Sequence, residues 1–155
     1  WYQNFGTLNT DSHFASFTGA FTGVPTSTTL PITGGSNVGA SNDTYLAMLF
    51  ASLDGVSKVG SYTGTGNNID VDCGFAAGAR FVLIKRTDST GDWYFWDTVH
   101  GITSGNDPYS LVNTYDAQVT NTDYIDPLNA GFTVTSSAPA DINASGGQYL
   151  FLAIA

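Results

Sequence analysis

The feature that most constrains the fold is a repeat inside the chain. Residues 38–51 (VGASNDTYLAMLFA) align without a gap on residues 142–155 (INASGGQYLFLAIA). Ala40 matches Ala144, Ser41 matches Ser145, Tyr45 matches Tyr149, Leu46 matches Leu150 and Ala51 matches Ala155. Each copy reads as a turn rich in Asn, Gly and Ser followed by an apolar strand. A supersecondary unit that recurs in one chain marks a repeat architecture, with length differences absorbed in loops. A weaker echo sets Trp1-Tyr2 against Trp93-Tyr94. Residues 1–55 therefore read as the C-terminal half of one unit, packed on or merged with the next, and residues 56–155 as a complete unit.

Within the complete unit, strand signals come at short intervals. Ser57 to Thr63 is followed by the turn cluster at 64–68. Ile69 to Phe75 alternates with period two, which puts Ile69, Val71, Cys73 and Phe75 on one face. Phe81 to Arg86 is nearly continuous apolar, as for a strand covered on both sides. Asp92 to Thr98 returns as its hairpin partner across residues 87–91, with Val82 and Ile84 on one face and Phe81 and Leu83 on the other. Ser110 to Val112 and Gln118 to Thr120 are weaker strands. Phe132 to Thr135 alternates again, and Tyr149 to Ile154 closes the unit. Pro108, Pro127 and Pro139 fall in loops, and no stretch carries helical periodicity for three turns.

Composition agrees. The chain has 13 acidic residues, all of them Asp, with 4 Lys plus Arg and 1 Met, so strong helix formers for exposed positions are nearly missing. Thr, Val, Ile and aromatics suit a pleated surface, while Asp, Asn, Gly and Pro supply turns. The expectation is an all-β fold, a two-sheet antiparallel β-sandwich of jelly-roll type.

The net charge of −9 argues against nucleic acid and anionic membrane as partners, since both require a basic footprint. An acidic surface rich in Thr, Asn and Gly suits an extracellular particle. Cys73 is the only cysteine and lies on the apolar face of its strand, where it reads as a small buried hydrophobe; with no intrachain disulfide, a bacterial or viral source is expected. No signal peptide or long apolar run occurs. The ends, Trp1-Tyr2 and an apolar strand, are those expected of a cut through a longer polypeptide.

Residues 81–98 (FVLIKRTDSTGDWYFWDT), preceded by VGSYTGTGNN at 59–68 and DCGF at 72–75, resemble a repeat of bacteriophage tail-fibre and other virion surface proteins. The endings at 38–51 and 132–155 are similar to that repeat's terminal strand. The resemblance implies a concanavalin A or laminin-G-like sandwich in a tail fibre or other surface appendage, with homo-oligomer assembly and host recognition as its function. It brings no catalytic motif. A free-standing carbohydrate-binding module of a secreted bacterial protein is the alternative.

Catalysis is not expected. His13 and His100 are the only imidazoles, no GxSxG elbow occurs, and Asp70 with Asp72 reads as the solvent side of a strand rather than a glycosidase pair. Laminin-G-like sandwiches can hold Ca²⁺ at loop tips, which makes Asp88 and Asp92 candidate ligands; an Asp-rich turn held by its own Asx bonds is the competing reading. In the aromatic strand, one alternate set must point away from its own core, so Trp93, Tyr94 and Trp96 are candidates for glycan or subunit contact. Phe5, Leu8, Phe14, Phe17, Phe21, Leu30 and Ile32 are too many large apolar groups to leave in water. Burial of each is worth roughly 1.5–3 kcal/mol, so either the second unit of the same chain or the same segment of neighbouring chains must cover them, and inter-chain contacts are expected to take a substantial share, most simply in a trimer.

Overall fold

The computed structural model describes residues 4–16, 21–32 and 38–155. Two compact units divide the chain: Trp1–Gly6 with Phe14–Leu49, and Thr7–His13 with Phe50–Ala155. Trp1 and Tyr2 of the weaker echo, and Phe17 of the apolar set, lie outside the described residues.

In the first unit, β1 (Asn4–Phe5) pairs antiparallel with β2 (Ala15–Ser16), and Phe21 bridges Ile32. The first copy of the repeat turn lies in this unit. Asn42 adopts a positive φ of 70°, the Asp43 N–H donates to the Ala40 carbonyl at 3.3 Å, and the Ala40 N–H donates to Tyr45 Oη at 3.0 Å. The run from 45 to 51, expected as a strand, is not one.

The second unit carries the ordered sheets. Its strands are β3 (Ser57–Thr63), β4 (Ile69–Asp72), β5 (Phe81–Arg86), β6 (Trp93–Asp97), β7 (Ser110–Leu111), β8 (Ile125–Leu128), β9 (Gly131–Val134) and β10 (Gln148–Ile154). A single helical turn, α1 (Ala140–Asn143), precedes β10. Every pairing is antiparallel. One sheet has the order β3-β10-β5-β6-β7 and the other β4-β9-β8. The last strand thus enters the middle of the larger sheet, where Phe151 faces Gly60 of β3 and Ile84 of β5. Gly60 is required there, because a Cβ on it would come within 2.6 Å of the Phe151 ring.

Alternation sets the core. Val82, Ile84, Tyr94, Trp96, Tyr149, Phe151 and Ala153 come from one face of the larger sheet. Val71, Ile125, Phe132 and Val134 come from the smaller, and the two sets form one buried cluster. The expected β5–β6 hairpin is present, with Val82 and Ile84 fully buried and Phe81 and Leu83 less so.

Three further local expectations need correction. The strand from Ile69 stops at Asp72, because Asp72 Oδ1 accepts the Gly74 N–H at 2.8 Å and Gly74 turns at φ 73°. Cys73 and Phe75 are buried nevertheless. Residues 118–120 reduce to a bridge between Val119 and Tyr109. Pro127 lies in a strand, not a loop. As β8 is an edge strand bonded only to β9, a proline can sit there with its missing N–H turned outward.

Candidate functional site

The aromatic strand β6 is largely an interior element. Tyr94 and Trp96 belong to the core, 6% and 1% exposed, with ring centroids 5.9 Å apart. Tyr109 packs on both, and Tyr124 stacks on Tyr109 at 5.5 Å. Burial, with Asp141 nearby, pushes the Tyr94 hydroxyl pKa upward; it reaches Asp141 Oδ2 at 3.4 Å. Neither Tyr94 nor Trp96 presents a face to water. Trp93 points to the opposite side of the sheet, yet it too is buried: its Nε1–H donates to the Thr7 carbonyl at 3.2 Å. The three candidate aromatics are therefore divided between two layers, and none forms an open platform.

Beside Trp93 sits Lys85, which in the sequence is no more than part of an apolar run. It is 1% exposed, and its Nζ donates to the carbonyls of Gly91 at 2.6 Å and Asp11 at 3.0 Å. The Gly91 N–H also donates to the Asp11 carbonyl, at 2.9 Å. Desolvation lowers the ammonium pKa, against the raising pull of Asp11, Asp92 and Asp141. Together Lys85 and Trp93 fasten residues 7–13 onto the hairpin.

The two candidate calcium ligands are each engaged with a neighbouring side chain. Asp88 pairs with Arg86 Nε at 2.9 Å, which holds its carboxyl below the usual range. Asp92 Oδ1 accepts from Asn113 Nδ2 at 2.8 Å. Among the described residues no group of three or more His, Cys or Asp side chains is placed to share an ion. Asp70 accepts from Thr133 Oγ1 at 2.7 Å.

Asp97, at the end of β6, and His100, in the exposed turn that follows, form an imidazole–carboxylate pair, with Nδ1 to Oδ2 at 2.8 Å. Burial pushes Asp97 up, but hydrogen bonds from His100 and Val99 outweigh it and its pKa falls below the ordinary value. The most perturbed acid is Asp107. It is fully buried, accepts the N–H groups of Tyr124 at 3.0 Å and Ile125 at 3.1 Å, and desolvation lifts its pKa to about 7. The Trp96 indole lies near enough to hold it down somewhat, without a well-formed hydrogen bond. Burial chiefly, then Asp72, raises the Cys73 thiol to about 11, which removes it from thiolate chemistry at neutral pH. Lys85, Asp107 and Asn143 carry little sequence signal, because each is held chiefly by main-chain groups that no local motif pairs with it.

The described residues define a mostly β protein with antiparallel sheets and one turn of helix. Residues 3–155 match a family described as "Domain of unknown function (DUF7483)", and the chain belongs to that family. No curated protein and no solved structure matches it. No helix among the described residues is long and apolar enough to cross a membrane.

Proposed function

We propose that this domain is a non-catalytic structural and adhesive module of a bacteriophage virion, on a tail fibre or other surface appendage, which self-assembles and contributes to host-surface recognition. Its two larger sheets are read as the layers of a β-sandwich of jelly-roll or concanavalin A type, since one face of each feeds a common core. The observation that carries the reading is the number of large apolar side chains left exposed in each unit. Phe5, Leu8, Ile32, Leu46, Met48, Leu49 and Phe50 are all exposed. A monomer in water rarely leaves so many, and subunit contact is the usual reason. The resemblance of residues 59–98 and 132–155 to virion surface repeats supports the setting, and the charge of −9 supports partners that are neither nucleic acid nor anionic lipid.

Size-exclusion chromatography with light scattering at micromolar concentration tests this. A stable trimer is expected. A monomer that binds a sugar at millimolar concentration would instead indicate a carbohydrate-binding module.

A further inference from the structure

The two copies of the repeat share a turn but differ in the segment beyond it. In the second copy Gly146 has a φ of 80°, the Gly147 N–H donates to the Ala144 carbonyl at 2.9 Å, and the Ala144 N–H donates to Tyr149 Oη at 2.8 Å. Asn42, Asp43, Ala40 and Tyr45 reproduce each of these features at the matching positions. Beyond the second turn, residues 148–154 become a strand bonded on both edges, to β3 and to β5. Beyond the first, residues 45–50 belong to no strand, and Leu46, Met48 and Leu49 are 89%, 72% and 74% exposed. No charge interrupts the chain from Thr44 to Leu53. An uncharged apolar run outside any strand is a template for strand pairing.

We propose that residues 45–51 are a pairing strand that adds to the free edge of β3 in a second copy of this chain. The second copy of the repeat shows what accepts such a strand, namely a sheet of this fold, and β3 is one of the two strands that hold β10. The other edges suit it less. β7 has two residues, β4 is four residues long with Asp70 and Asp72, and β8 contains Pro127. β3 has seven residues, and the side away from β10 is an edge on which Leu53 of the same chain bridges Ser57, so that Val59 to Thr63 is the stretch with no strand beside it there. That edge has its main-chain groups presented for bonding: Ser52 Oγ accepts the Val59 N–H at 3.1 Å and donates to the Val59 carbonyl at 3.3 Å, as a neighbouring strand would. Alternation puts the main-chain groups of Ser61 and Thr63 on the same side. The incoming strand displaces the Ser52 cap and continues the ladder, a β-augmentation between copies. The inference rests on the self-assembling part of the functional reading and supplies its contact.

Light scattering and hydrogen exchange on the full chain and on Met48→Pro, which removes one N–H from the strand, test it. The wild-type chain should associate, with residues 45–51 and 59–63 protected and that protection lost on dilution. Met48→Pro should weaken association on the order of tenfold or more, with β5 and β10 still protected. If Met48→Pro associates as tightly as wild type, or 45–51 exchanges freely in the oligomer, the strand assignment is overturned while self-assembly stands. A monomeric wild-type chain overturns both, including one whose 45–51 is protected by pairing within its own chain. Should the variant not fold, the wild-type exchange pattern decides alone.

Discussion

Asn143 uses all four of its hydrogen-bonding positions on main-chain groups. Its Oδ1 accepts from the N–H groups of Thr65 and Gly66, and its Nδ2 donates to the carbonyls of Asn67 and Thr135. Three segments distant in sequence are tied through one side chain that is 3% exposed. Replacement by Ala leaves those groups unsatisfied and should cost roughly 3–5 kcal/mol. Urea unfolding measures it, and a loss below about 1 kcal/mol would contradict the network's role. Asp107 gives a pH dependence with a definite sign. Its folded pKa of about 7 lies above the unfolded value of 3.8, so the folded state holds the proton more tightly. The resulting stability is fully present below the unfolded value and is lost as pH rises through the folded one. Unfolding free energy should therefore fall between pH 4 and 7 by up to about 1.4 kcal/mol per pH unit from this group, and Asp107→Asn should flatten that slope. Equal slopes in both proteins would refute the assignment.

Among the elements, β10 is the one on which the larger sheet depends, since β3 and β5 are bonded to each other only through it. Phe151 fills the space above Gly60 and meets Phe132 of the opposite sheet edge-on at 5.5 Å. Phe151→Ala should destabilise by roughly 3–5 kcal/mol through the cavity it leaves. Denaturant midpoints measure the loss, and a change within error would place the ring outside the core. The fastening of residues 7–13 is a separate matter. Lys85→Met keeps most of the volume but removes the bonds to Asp11 and Gly91. Hydrogen exchange at residues 7–13 should quicken while β5 and β10 stay protected, because the ladder does not use the ammonium. Uniform loss of protection would mean that Lys85 supports the whole sheet.

For the whole molecule, the charge of −9 and the exposed apolar groups act in opposite directions on assembly. Like charges repel as copies approach, and salt screens them over about 10 Å at 0.1 M and 3 Å at 1 M. Apolar contact and main-chain pairing are not weakened by that screening. Association measured by sedimentation should strengthen as salt rises. Dissociation by salt would point to ion pairs as the contact instead.

Most strand positions in residues 56–155 were legible where the chain alternates or runs apolar, because a strand's faces are set by period two within a few residues. β3 and β5 have the expected bounds, and Cys73, Val82 and Ile84 are buried as their patterns require. Local chemistry also made the shared turn readable, since Asn at 42 and Gly at 146 both tolerate positive φ. What the chain pattern could not decide was partnership. YLAMLFA and YLFLAIA are near equivalents in sequence, yet only the second finds β3 and β5 on either side and becomes a strand. The same is true of the aromatics in β6, of Lys85 and of Asp107. Whether each side chain is open or buried, charged or neutral, depends on segments tens of residues away. Burial and hydrogen bonding are set by those long-range neighbours, which only the tertiary structure brings together.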